Sequence, residues 1–334
     1  MEKRCIKLDS NENQFTHDID FSKCVSDIDP KMYPDVTIHK LRSSLSNFYK
    51  IPIDEIFCSN GSDFLIKALT FGLISYKDEV LIPDIAFPTY EIAAKIKECS
   101  YKLIPLKNHF IDLDETLNSI SEKTKLIWIS NPHNPTGTLL TETDIEEFLK
   151  KVPSHIYVVL DEAYIEYLPK GTIDSFKLYK EFSNVIILRT FSKAYGLAGA
   201  RIGYGIARVD IINKFRDMLG PFDVNSYAQA IAEKVIFEQK YLDRVRAENL
   251  SGMSQIEKMC SELNLKYIKS YTSFIMFYVG EDAVAISEYL KNNDILIKEG
   301  SLIGMPGWVR LTIGTSEQNC FVEEKIRGYF KERH

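Results

Sequence analysis

Lys193 follows the apolar run Val185–Leu188 after Arg189-Thr190-Phe191-Ser192, and Gly196-Leu197-Ala198-Gly199-Ala200-Arg201 comes shortly after it. Surface lysines are usually solvated. A lysine at the carboxyl edge of a buried strand is instead a candidate for covalent attachment to a carbonyl or for phosphate binding. Three more apolar runs end in residues with chemical use. Glu55–Ser59 runs into Asn60-Gly61-Ser62-Asp63 and then a helical pattern. The N–H groups of Ser62 and Asp63 at the positive helix end suit an anion, although a plain turn with either residue as N-cap accounts for the same residues. Leu126–Ser130 runs into Asn131-Pro132-His133-Asn134-Pro135-Thr136-Gly137, a rigid loop that presents Asn134. Ile156–Leu160 runs into Asp161-Glu162-Ala163-Tyr164. A carboxylate there needs a cation or several donors, which a helix cap or a cofactor cation would supply. Ligands of open α/β sheets lie beyond the carboxyl ends of the strands. The convergence of Lys193, Asp161, Asn134, Arg201 and an anion-ready helix end describes a site for a phosphate, a ring cation and a carbonyl condensed with an amine. Pyridoxal 5′-phosphate (PLP) carries all three.

The elements that must position these residues are legible as periodicity. Between about residues 55 and 210, short apolar runs alternate with amphipathic helical patterns, which predicts a parallel sheet covered on both faces. The predicted strands are Glu55–Ser59, Glu79–Ile82, Leu126–Ser130, Ile156–Leu160, Val185–Leu188 and Ile202–Ile206. Helices are expected over Phe64–Ile74 and Glu142–Lys151, the latter with Thr143 and Glu146 at capping-box spacing. After Gly220-Pro221 the pattern changes: Ser226 to about Leu263 reads as one or two long charged helices, with Gly252 a possible interruption. The segments Lys266–Tyr278, Ala283–Asn292, Val309–Ile313 and Val322–Arg333 then read as strand, helix, strand, helix, a smaller α+β unit. The fold class is therefore α/β, divided into an arm with part of the small domain (1–35), a large cofactor domain (36–244) and a small domain (245–334).

Composition agrees with this picture. The 334 residues suggest about two domains at roughly 150 residues each. A 45% hydrophobic content supports a large core, and a net charge of -6 without a Lys/Arg cluster argues against nucleic acid. The six cysteines are scattered without a CxxC pair, so no zinc site is expected and reduced thiols in the cytoplasm are. The first residues lack the apolar run of a signal peptide, and no stretch approaches the roughly 20 apolar residues that cross a bilayer.

The run Thr190-Phe191-Ser192-Lys193-Ala194-Tyr195-Gly196-Leu197-Ala198-Gly199-Ala200-Arg201-Ile202-Gly203 resembles the lysine motif of fold-type I, class I/II aminotransferases. More closely, the chain resembles histidinol-phosphate aminotransferases. Further motifs carry the likeness in order and spacing from about residue 8 to 316: Asn11-Glu12-Asn13, Tyr33-Pro34-Asp35, Gly61-Ser62-Asp63, Pro88-Thr89-Tyr90, Asn134-Pro135-Thr136-Gly137, Asp161-Glu162-Ala163-Tyr164 and Val309-Arg310-Leu311-Thr312-Ile313-Gly314. The resemblance implies a PLP-dependent transferase of fold type I, with a mostly parallel central sheet flanked by helices plus a smaller α+β domain. It makes Lys193 the Schiff-base lysine and proton shuttle. It sets Asp161 against the pyridine nitrogen, Tyr164 and Asn134 on the ring's 3′ oxygen, and Tyr90 on the ring face. It puts the cofactor phosphate on the backbone of Ser62 and Asp63, the hydroxyl of Ser192 and the guanidinium of Arg201. Tyr33 matches a tyrosine that completes this site from a neighbouring subunit, so a homodimer is implied. Arg310 matches the arginine that grips the substrate carboxylate, and glutamate is the implied amino donor.

The chain departs from the family around the substrate. Where the family carries a second arginine, used on the substrate phosphate, this chain reads Ile295-Leu296-Ile297-Lys298-Glu299-Gly300, with Lys298 nearest in register. A lysine binds phosphate as a point charge without the guanidinium fork. The connection Gly304-Met305-Pro306-Gly307-Trp308 is also unusual, and Phe64 stands where the family has glutamate. A small, phosphorylated or otherwise anionic keto compound is thus the expected acceptor. Decarboxylation of a phosphoserine- or phosphothreonine-type amino acid would reuse the same cofactor residues and is the alternative. A non-catalytic PLP-binding regulator would carry a basic domain ahead of Asn11, and a dinucleotide-binding protein would carry GxGxxG after Glu55–Ser59.

Overall fold

The computed structural model describes residues 5–331. Strand β1 (Ile6–Lys7) opens the chain. The large sheet then takes seven strands: β2 (Ile56–Ser59), β3 (Glu79–Pro83), β4 (Ser100–Ile104), β5 (Thr124–Ser130), β6 (Tyr157–Asp161), β7 (Val185–Thr190) and β8 (Gly203–Ile206). Their order is β2-β8-β7-β6-β5-β3-β4. Every pairing is parallel except those of β8, which runs antiparallel to both β2 and β7.

Near-continuous apolar runs form this sheet because both faces are covered. Alternate residues serve two cores: Ile127, Ile129, Val158, Leu160 and Ile187 pack with the helices His39–Tyr49 and Glu142–Lys151, whereas Leu126, Trp128, Val159, Ile186 and Leu188 pack with Ser62–Leu73 and Thr89–Lys97. Strand β4 escapes the sequence pattern because it lies at the sheet edge, with Ser100, Lys102 and Leu103 exposed. The capping box of Glu142–Lys151 is formed two residues earlier than expected, by Thr141 and Asp144 in place of Thr143 and Glu146. Thr141 Oγ1 accepts from the Asp144 N–H at 3.1 Å and Asp144 Oδ2 accepts from the Thr141 N–H at 3.0 Å. Glu146 is thereby left to pair with Lys150 and Lys177.

The smaller sheet is antiparallel, with β9 (Tyr267–Ile268), β10 (Phe274–Tyr278), β12 (Lys298–Glu299) and β13 (Trp308–Thr312) in the order β12-β13-β10-β9. Strand β11 (Ile295–Leu296) pairs in parallel with β1, which fastens the N-terminal arm to this unit. One face of the small sheet, with Ile275, Phe277, Val309 and Leu311, packs on the helices Ala283–Asn292 and Ser316–Lys331. The last two residues of the helix expected over Val322–Arg333 lie outside the described residues.

The helix Gln239–Glu262 joins the two units: Tyr241, Leu242 and Val245 enter the large core, and Met253, Ile256, Met259 and Cys260 enter the small one. Residue 244 therefore falls within a continuous helix. Gly252 does not interrupt it. A Cβ there would stand 2.4 Å from Asn319 Nδ2 and 2.5 Å from Ile313 Cγ2, so glycine permits the close approach of the small unit. The break falls instead between Val235 and Gln239.

Candidate active site

Asp161 ends β6 and is buried. Burial pushes its carboxyl up to about 6, against the opposing pull of the Tyr90 hydroxyl and the Ala163 N–H. Tyr90 donates to Asp161 Oδ2 at 2.6 Å, and the Ala163 N–H reaches Oδ1 at 3.2 Å. The Tyr90 ring stacks on Trp128 at 4.6 Å and 14°, so one of its faces is taken by the protein. Burial also pushes the Tyr90 hydroxyl well up, which keeps its proton available to Asp161.

Lys193 lies in the loop after β7. Its Nζ donates to the Ser10 carbonyl at 3.1 Å and stands 5.7 Å from the centre of the Tyr164 ring. The Tyr164 hydroxyl accepts from Asn11 Nδ2 at 2.9 Å, leaving its own proton to donate elsewhere. Asn134 Oδ1 accepts from Arg310 Nη1 at 2.7 Å, which turns the amide N–H groups of Asn134 the other way. Tyr164 and Arg310 both lie against Phe274, at 5.3 and 5.1 Å from its ring centre.

The anion end is built by close approach. Gly61, at φ 80°, precedes the helix Ser62–Leu73 with no side-chain cap. A Cβ on Gly61 would stand 2.6 Å from Arg201 Nη2, and one on Gly203 would stand 2.5 Å from the Ser62 backbone nitrogen. The guanidinium of Arg201 thus lies against Gly61 at the positive start of the helix Ser62–Leu73, a placement that suits an anion. Asp63 accepts from Thr89 Oγ1 at 2.8 Å, and the Ser192 N–H is tied to Thr190 Oγ1 at 3.1 Å.

Arg310, on β13, is buried, and burial lowers its guanidinium pKa. Besides Asn134 it donates from Nη2 to the Asp9 carbonyl at 3.0 Å, while its Nε has no protein acceptor among the described residues. Lys298 is the register partner of Arg310 on β12, so both side chains share the sheet face opposite the small core. Lys298 Nζ stands 4.0 Å from Asp9 Oδ2.

The fold thus draws Lys193, Asp161, Tyr90, Tyr164, Asn134 and Arg310 together, with Arg201 beside the helix start at Ser62 and Asp63, Ser192 next to Lys193 in the loop after β7, and Lys298 beside Arg310. Tyr33 does not join them in this chain; it is 79% exposed and stacks on Phe222 at 4.4 Å. Sequence reasoning assigned no role to Asp9, Ser10 and Asn11, which touch Arg310, Lys193 and Tyr164. It also passed over the buried pair of Glu162 with Arg189, 2.8 Å apart and joined by Ser175. The signal for that pair was present: Glu162 directly follows β6, and Arg189 is the last residue but one of the neighbouring parallel strand β7.

The model of the aminotransferase class I and II family matches residues 3–322. This chain belongs to that family. The histidinol-phosphate aminotransferase of Lysinibacillus sphaericus (strain C3-41) is 35% identical over 335 residues, covering 99% of this chain and 91% of its own. Histidinol-phosphate aminotransferase 2 of Pasteurella multocida (strain Pm70) is 37% identical, over 94% of this chain and 87% of its own. The solved histidinol-phosphate aminotransferase from Sinorhizobium meliloti, in complex with pyridoxal-5′-phosphate, superposes with a TM-score of 0.90 at 24% identity, covering 98% of this chain and 92% of its own. The aminotransferase therefore has the fold-type I architecture expected of it, and the decarboxylase alternative has less support than transamination. Among the described residues no helix is long and apolar enough to cross a membrane, and no cluster of potential metal ligands occurs.

Proposed function

We propose that this aminotransferase uses PLP to pass an amino group between glutamate and a small phosphorylated keto compound, in the manner its relatives' names describe for histidinol phosphate. The observation that carries the substrate reading is the pairing of Lys298 with Arg310 on one sheet face. Two adjacent cations suit substrates bearing a carboxylate or a phosphate. When bound, PLP supplies an electron sink for the bonds at the substrate's Cα.

The chain's own groups then have distinct tasks. Lys193 would hold the cofactor through Nζ, and the same amine, when free, would carry a proton. Asp161, held by Tyr90 and Ala163, would pair with a protonated ring nitrogen; burial favours such a pairing because a lone carboxylate there is costly. Tyr164 and Asn134 donate to the ring oxygen. Ser62, Asp63, Ser192 and Arg201 hold the phosphate. Arg310 orients the carboxylate, and Lys298 takes the second anionic group.

Exposed Met32, Tyr33, Val36 and Phe222 form an apolar patch that supports a homodimer in which Tyr33 reaches the phosphate cradle of a second copy. The proposed units are 1–35, 36–244 and 245–334, with the helix Gln239–Glu262 carrying side chains into both cores. All six cysteines are unpaired, which suits a cytoplasmic location.

The test is a half-reaction titration. Glutamate is expected to convert the yellow protein to its amine form, and a phosphorylated ketone to restore the colour. Arg310→Ala should raise KM for glutamate by about 30-fold, the worth of charged hydrogen bonds, and Lys298→Ala should weaken the phosphorylated partner alone. Release of carbon dioxide without colour recovery would refute transamination.

A further inference from the structure

The N-terminal arm runs along the back of the Lys193 loop and grips it at successive points. Asn13 Nδ2 donates to the Ala194 carbonyl at 2.7 Å, and His17 Nε2 lies 2.6 Å from the Tyr195 carbonyl. A carbonyl only accepts, so Nε2 carries the proton. The opposite nitrogen, Nδ1, is buried without a partner among the described residues. Both arm residues are braced on Tyr241 of the helix Gln239–Glu262. The His17 ring stacks on it at 3.8 Å and 20°, and Asn13 Nδ2 also reaches its hydroxyl at 3.0 Å. Asn13 Oδ1 is held by the Phe15 N–H at 2.8 Å, and Arg244 fastens Asp18 and the Thr16 carbonyl, at 2.8 and 2.6 Å. Gly196, at φ +67°, completes the fit: a Cβ would lie 3.1 Å from the Tyr241 hydroxyl and 3.4 Å from His17 Nε2.

We propose that Asn13 and His17 are positioning residues for Lys193, fixing the two peptide carbonyls that follow it so that its amine is delivered from a rigid backbone. The physical need is clear. Lys193 has a long flexible stem, and productive geometry requires its root to be fixed to about 0.5 Å. The loop's own bonds, Gly196 N–H to the Lys193 carbonyl and Leu197 N–H to the Phe191 carbonyl, close it locally. The carbonyls of Ala194 and Tyr195 are held by the arm.

The inference rests on the proposed attachment of PLP to Lys193. The experiment compares wild type, His17→Phe, which keeps a ring on Tyr241 but loses the donor, and His17→Gln, which keeps a donor. Three quantities are read: PLP dissociation, kcat and KM for glutamate, and the rate at which an amine-reactive reagent labels Lys193 in the cofactor-free protein, followed by mass spectrometry. One lost hydrogen bond corresponds to about a tenfold effect. His17→Phe should lower kcat and PLP affinity about tenfold and alter Lys193 labelling, with KM for glutamate changed less than about twofold. His17→Gln should stay near wild type. Wild-type behaviour of His17→Phe, or equal loss in both variants, overturns the proposal. If His17→Phe does not fold, Asn13→Ser, too short to reach the Ala194 carbonyl, carries the same expectation and the same refutation. A Lys193→Ala protein that still binds PLP covalently would instead sink the attachment role itself.

Discussion

Glu166 offers a stability experiment whose size follows from burial. It sits in the turn Ile165–Tyr167, and both carboxylate oxygens are buried without a hydrogen-bond partner among the described residues. It lines a cavity of about 160 Å³ shared with Tyr49, Arg189, Tyr195 and Arg246. Burial pushes its pKa from an ordinary 4.5 up to about 7, with Arg189 offsetting part of the rise. The folded state therefore holds this proton more tightly than the unfolded chain does. The contribution of Glu166 to stability falls as pH rises from about 4.5 to about 7 and is flat above. That interval, at ~1.4 kcal/mol per pH unit, amounts to ~3 kcal/mol. Glu166→Gln has the same shape and no titration. Denaturant midpoints of the cofactor-saturated proteins between pH 4.5 and 8 should show the variant gaining on wild type by this amount as pH rises. Asp161, also raised by burial, titrates in both proteins and cancels. Parallel curves would refute the reasoning.

Other outcomes follow from single contacts. Gly61→Ala places a methyl 2.6 Å from Arg201 Nη2 at φ 80°, so PLP affinity should fall about tenfold with the circular dichroism unchanged. Gly252→Ala should lower the thermal midpoint although alanine is the better helix former by ~1 kcal/mol, because the added methyl meets buried Asn319 and Ile313. PLP affinity should weaken as pH falls through about 6, where Asp161 gains a proton, and Asp161→Asn should bind weakly at every pH in the same titration.

The parallel strands were legible because burial on both faces leaves them almost purely apolar, and each chemical residue follows such a run directly. Edge strand β4 was not, since exposure lets Ser100 and Lys102 stand in it. Gly252 misled for a physical reason: its value lies in what packs against it from residues 313 and 319, which no local pattern records. The same holds at the site. Lys193, Asp161 and Asn134 are visible from their position after strands, whereas Ser10, Asn11, Asn13 and His17 act through contacts with partners at least 153 residues away. Their short polar segment reads as a loop until its partners are known.

The arm also has a temporal side. Ile6 pairs with Ile295, and the Asn11 N–H reaches Thr312 Oγ1, 301 residues further along. At ~5–20 residues per second, a ribosome needs ~15–60 s to make the chain between such partners. The large sheet, complete by Ile206, has time to form first. The arm is thus made well before the partners that hold it, and it finds its place on the small unit only after the large sheet has been synthesised.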